Sequence, residues 1–214
     1  MKWTLPNTLT VLRLLAAPGV AVMFLYFHRP WADWLALALF IVAAITDYFD
    51  GYLARLWKQE SKFGAMLDPI ADKAMVVIAI MVLTGYSGMN PWLILPATVI
   101  LFREVFVSGL REYLGAEAKL LKVTKLAKWK TTAQMVAIAI LFLGTGLDYL
   151  EKGRAPRAGE GDLPTGATLA DTANHVGLAL IWVAAFLTAV TGWDYFRKAL
   201  PFLKAAETVD ITVI

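Results

Sequence analysis

The sequence predicts an all-α integral membrane protein: one bundle of six transmembrane helices with both termini on the cytoplasmic side. Three observations predict it. Of 214 residues, 59% are hydrophobic and 17% are charged, whereas soluble domains sit nearer half apolar and a quarter charged. The apolar residues gather into six long runs, and a membrane helix needs about 20 such residues. Lysine and arginine cluster in alternate connectors, which orients the runs. The alternation expected of barrel strands is absent, and helices or closed barrels are what satisfies a backbone in lipid. The chain has no cysteine. Disulfides, thiolate metal sites and a cysteine nucleophile are therefore excluded.

The first run spans roughly Leu5 to Phe27. A secretory leader has a shorter apolar core, and Arg13 interrupts this one, so the run reads as a span. The second extends from about Trp31 into Leu53, the third from Pro69 to Tyr86 and the fourth from Pro91 to Leu110. The fifth covers Thr131 to Leu147 and the sixth Leu169 to Phe196. Arg55, Lys58 and Lys62 follow the second run; Arg111, Lys119, Lys122, Lys125, Lys128 and Lys130 follow the fourth; Arg197, Lys198 and Lys204 follow the sixth. The link "GYSGMNP" between the third and fourth carries neither lysine nor arginine. By the positive-inside rule the basic connectors face the cytoplasm. The stretch 148–168 mixes both signs with glycine and proline and reads as an exposed loop on the other side. No internal repeat is visible, so residues 1–214 form one domain.

Four aspartates stand out against this background. Asp47 and Asp50 are spaced i, i+3 at the cytoplasmic end of the second run; Asp68 and Asp72 are spaced i, i+4 at the start of the third. Each pair shares a helix face. A short turn between antiparallel helices brings both faces together. An unpartnered cluster of carboxylates is costly, so a cation is expected among them. Lys73 and Arg55 are candidates. Hard divalent ions are better ones, because carboxylate oxygens suit Mg²⁺, Mn²⁺ or Ca²⁺, and four acids can hold two. The plainer alternative is a set of solvated acids at helix ends, with Asp68 and Asp72 favoured by a helix dipole. Gly51 and Gly64 beside the acids allow close approach of backbone or ligand.

These residues read D-x-x-D-G-x-x-A-R, eight residues, then G-x-x-x-D-x-x-x-D: Asp47, Asp50, Gly51, Ala54, Arg55, Gly64, Asp68 and Asp72. The pattern over 47–72 resembles the signature of the CDP-alcohol phosphotransferases, a six-helix membrane family. The resemblance implies two Mg²⁺ or Mn²⁺ ions held by Asp47, Asp50 and Asp68, with Asp72 as general base and a further contact to metal. It implies a site for the CDP moiety lined by Asp47, Gly51, Arg55 and Gly64. Asn7, Thr10 and Arg13 recur along the first helix; the resemblance places such groups near the nucleotide, with Asn7 and Thr10 contacting it. The alternative for Asn7 is a helix cap.

The opening "LPNTLTVLRLLAAP" and the stretch "LFREVFVSGLREYLGAEAKLLKVTKLAKWKTTAQMVA" resemble bacterial members that use CDP-diacylglycerol as donor and sn-glycerol 3-phosphate as acceptor. That resemblance implies transfer of a phosphatidyl group, release of CMP, a homodimer and a place in the bacterial inner membrane with the site facing the cytoplasm. Its partners would be those two substrates and membrane lipids, with no nucleic acid. A phosphate dianion needs cations, and the segment 102–135 supplies them: Arg103, Arg111 two turns on, Lys128 and Lys130. Arg103 lies among apolar residues, where a charge points to function; a structural ion pair through its neighbour Glu104 is the alternative. Lys119, Lys122 and Lys125 read as a patch drawn to anionic lipid.

Other members of the family use inositol phosphate, serine or phosphatidylglycerol as acceptor, and cationic residues disfavour serine. A divalent-cation transporter would want acids near the bilayer midplane, whereas these lie at one face. A non-catalytic scaffold leaves the acids without a purpose.

Overall fold

A computed structural model of the chain describes residues 4–56, 61–120, 125–154 and 168–210; within them, the side chains of residues 6, 48–55, 116, 119, 120, 125, 127, 128, 154 and 204–210 are not described. Every described element is helical. They are α1 (Leu5–Tyr26), α2 (Trp31–Leu56), α3 (Lys62–Tyr86), α4 (Pro91–Leu114), a short 3-10 helix (Gly115–Leu120), α5 (Lys125–Arg154) and α6 (Leu169–Asp210).

Among the described residues, four segments are long and apolar enough to cross a membrane: Asn7–Tyr26, Pro91–Leu114, Trp129–Gly153 and Leu169–Leu203. Their outward faces are apolar too. Leu15 is 63% exposed, Phe102 69% and Phe186 70%. Water would not tolerate so continuous an apolar surface, and lipid does. The chain is an integral membrane protein.

The helix limits depart from the sequence expectation in several places: α2 runs on to Leu56, α4 to Leu114 and α6 to Asp210. α3 starts at Lys62 rather than Pro69, so Asp68 and Asp72 lie in its second and third turns. A dipole effect fades within one turn, which removes that explanation for the two acids. α5 starts at Lys125, so Lys128 and Lys130 lie within the helix rather than before it. α5 also runs to Arg154, so residues 148–154 continue a helix that the sequence assigned to a loop. Residues 155–167 lie outside the described residues.

Two compact units make up the chain. The first comprises Met1–Asn90 with Met135–Ala179. In it α1 packs against both α2 and α3. Phe24, Phe40, Tyr86 and Phe142 form its aromatic core, with ring centroids 4.7–5.9 Å apart. The Tyr86 hydroxyl donates to the Phe24 carbonyl at 2.9 Å. α5 and α6 meet closely here, since a Cβ on Gly177 would stand 2.8 Å from the Leu141 side chain. Small residues permit such approach between membrane helices.

One polar knot closes the far end of this unit. Arg29 donates to the carboxylate of Asp33, with Nε–Oδ2 at 2.8 Å, and to the Thr145 carbonyl at 2.9 Å. Its guanidinium also lies over the rings of Tyr86 and Tyr149, at 5.2 and 4.8 Å. Burial works against the charge on Arg29, but the hydrogen bond and charge of Asp33 outweigh it and hold its pKa above the ordinary value.

The second unit comprises Pro91–Gln134 with Leu180–Ile214. Val107 and Leu114 of α4 pack on Tyr195 and Ala199 of α6. At another level of the same helix pair, the Trp182 indole donates to the Trp92 carbonyl at 2.9 Å.

Candidate active site

The first unit assembles its polar centre from three helices. Arg13 is the only charged residue of α1, and its side chain is 2% exposed. A buried guanidinium must find anions. Nη1 of Arg13 donates to Oδ1 of Asp47 on α2 and, at 2.7 Å, to Oδ1 of Asp72 on α3. The two carboxylates thus converge on one nitrogen. Both remain open outward, at 43% and 49% side-chain exposure.

One turn earlier on α1, the Thr10 hydroxyl donates to Oδ1 of Asp68 at 2.8 Å. One turn earlier again, Asn7 is buried at 3% exposure. Its Oδ1 accepts from the Ser61 hydroxyl at 2.7 Å. Ser61 caps α3 by accepting from the Gly64 backbone N–H at 2.9 Å. A side chain at Gly64 would collide here, because its Cβ would stand 2.8 Å from Asn7 Oδ1. Glycine therefore lets α1 and α3 approach. Asn7 is not a helix cap: Thr4 holds that position in α1, without a side-chain bond.

Asn7, Thr10 and Arg13 thus form a polar stripe along α1 that meets Ser61, Asp68 and Asp72 along α3. The expected convergence of acids holds for Asp47 and Asp72. The side chains of Asp50, Gly51 and Arg55 lie outside the described residues. Among the described residues, no group of three or more acids or histidines stands close enough to hold a metal ion. The donor chemistry nonetheless fits a hard divalent ion. Two outward carboxylates already share one cationic point, and carboxylate oxygens are the ligands such ions prefer.

Arg13 is the residue that sequence reasoning undervalued: it named Lys73, Arg55 and, in preference, a divalent ion as the counter-charge, and placed Arg13 only near the nucleotide. The signal was present as a lone charge inside an apolar run.

Arg103, Arg111, Lys128 and Lys130, for which the sequence raised a phosphate-binding role, belong to the second unit. Glu104 accepts from Arg103 at 3.2 Å and from Lys130 on α5 at 2.5 Å. All three side chains are mostly buried, at 17%, 13% and 7% exposure for Arg103, Glu104 and Lys130. The ion pair between Glu104 and a neighbouring helix, weighed as an alternative, is therefore present. It does not exhaust the cations: Arg103 Nε is buried with no hydrogen-bond partner among the described residues. The Arg103 stem passes Gly192 of α6, where a Cβ would stand 2.9 Å from its Cγ. Arg111 lies over the Tyr195 ring, 5.4 Å from its centroid, and donates to its hydroxyl at 3.3 Å. Lys128 lies outside the described side chains. Gln134 Oε1 and Thr188 Oγ1 are also buried without partners among the described residues; sequence reasoning singled out neither.

Comparison with known proteins identifies the family. A family model described as CDP-alcohol phosphatidyltransferase matches residues 3–190. A protein of Cereibacter sphaeroides named CDP-diacylglycerol–glycerol-3-phosphate 3-phosphatidyltransferase is 74% identical, over 95% of this chain and 99% of its own length. Proteins of the same name from Salmonella choleraesuis and Rickettsia bellii are 43% and 40% identical, over 93% and 90% of this chain and 96% and 93% of theirs. With its signature acids gathered on α2 and α3 and a family model matching most of its length, the chain belongs to the CDP-alcohol phosphatidyltransferase family.

Proposed function

We propose that the chain transfers the phosphatidyl group of CDP-diacylglycerol to the 1-hydroxyl of sn-glycerol 3-phosphate, giving phosphatidylglycerol phosphate and CMP. The observation that carries this reading is the 74% identity, over nearly the whole of both chains, to a relative bearing the name of that activity. The meeting of Asp47 and Asp72 at one cationic point supports it.

The family generally uses divalent metal ions. Here we assign two, Mg²⁺ or Mn²⁺, to Asp47, Asp50, Asp68 and Asp72. When bound, they would neutralise the diphosphate and stabilise the departing phosphate oxygen. The rest falls to the chain. Asn7, Thr10, Asp47, Gly51, Arg55 and Gly64 line the place of the CDP moiety. Thr10 fixes the rotamer of Asp68 through its hydroxyl. Asp72 takes the proton from the 1-hydroxyl as its oxygen bonds to the β-phosphorus and the bond to CMP breaks. Arg103, Arg111, Lys128 and Lys130 hold the acceptor's phosphate. Most of the rate comes from positioning and charge neutralisation. A lipid donor and a soluble dianionic acceptor require such a site near a membrane surface. We therefore propose six spans, cytoplasmic termini and an inner-membrane location with the site facing the cytoplasm. We also propose a homodimer, on the family resemblance.

The test is an assay of the purified chain in detergent, supplying CDP-diacylglycerol with each labelled acceptor in turn. Glycerol 3-phosphate should be consumed with CMP release, and a chelator should stop the reaction. Transfer to inositol phosphate or serine instead would overturn the acceptor assignment.

A further inference from the structure

Arg13 already stands where a cation bridging two of the signature acids would stand. Its Nη1 is shared between Oδ1 of Asp47 and Oδ1 of Asp72, across three helices. The guanidinium side is sealed, at 2% exposure, while both carboxylates open outward. In the protein without metal, this charge offsets the repulsion between Asp47 and Asp72, and the acids in turn offset the cost of burying Arg13.

We infer that Arg13 is the resident cation of the acid cluster, and that a divalent ion loads by exchange with it, breaking its bond to Asp47, to Asp72 or to both. The inference rests on the divalent-ion reading of the cluster proposed above. It makes Arg13 a positioning residue with a defined cost: the cluster stays assembled before metal arrives, and it binds metal more weakly than its acids alone would. The site then empties and refills readily. A purely structural arginine predicts the opposite, since its loss would scatter the acids and weaken metal binding.

The experiment measures Mn²⁺ binding to the full-length protein in detergent, without substrates, by the paramagnetic resonance signal of free Mn²⁺. Arg13→Gln should bind Mn²⁺ at least about tenfold more tightly than the unaltered chain, because a nearby unit charge repels a divalent ion by at least that much even in water. Arg13→Lys keeps the charge and should stay within about threefold. Equal or weaker binding by Arg13→Gln overturns the exchange while leaving the metal reading intact. An unaltered chain that binds no Mn²⁺ overturns both. Should Arg13→Gln fail to give a monodisperse protein, a structure of the unaltered chain with Mn²⁺ decides. Arg13 released from Asp47 or Asp72 supports the exchange; both bonds retained overturns it.

Discussion

Replacing Arg29 with methionine should destabilise the first unit without touching its chemistry. Asp33 is 0% exposed at its side chain and bonds to Arg29 through both carboxylate oxygens. Arg29 also serves the Thr145 carbonyl and two tyrosine rings. Removing one member of a buried pair strands the other charge, which costs about 3–5 kcal/mol. In a chain of this size each kcal/mol moves the melting temperature by about 2–4 °C, so the loss should be roughly 6–20 °C. Thermal unfolding in detergent, followed by tryptophan fluorescence, reads it directly. The double variant Arg29→Met with Asp33→Asn removes the stranded charge and should recover most of the loss. Activity at low temperature should persist, because Asp33 and Asp47 are separated along α2 by about 21 Å of helix. A single variant that loses less than about 1 kcal/mol, or a double variant no more stable than the single, refutes the reasoning.

Two further outcomes bear on the proposed chemistry. Asp72→Asn should keep CDP binding but, with Mn²⁺ raised to saturation, lower kcat by about 10²–10⁴-fold, the range for a lost general base; wild-type turnover would remove that role. Lys130→Met frees Glu104 from its 2.5 Å partner and subtracts a proposed phosphate ligand. It should raise KM for glycerol 3-phosphate at least about tenfold, in line with a charged hydrogen bond worth about 1.5–3 kcal/mol, while KM for CDP-diacylglycerol stays unchanged.

Much of the site was legible because helical spacing is local. The i, i+3 and i, i+4 separations of the aspartates, and the six-residue reach from Asn7 to Arg13, place each set on one helix face wherever the helix docks. Helix ends were less legible. Nothing in the pattern of "SKFGAMLDPIAD" requires α3 to begin before Pro69, but Ser61 supplies a cap that the Gly64 N–H satisfies. Proline is then carried inside the helix, as membrane helices tolerate. Arg103 was legible as an intramembrane charge, but its sharing of Glu104 with Lys130 was not, because that partner lies 26 residues away.

By itself the sequence determined the helical membrane class and which residues share a face. Lipid leaves a backbone few other ways to satisfy its hydrogen bonds, and helical periodicity does not depend on what lies alongside. Tertiary structure alone decided the partners. Arg13 finds Asp47 and Asp72 across 34 and 59 residues of chain, a choice set by how α1, α2 and α3 rotate and dock. Such docking depends on the packing of side chains from distant segments, and no local spacing encodes it.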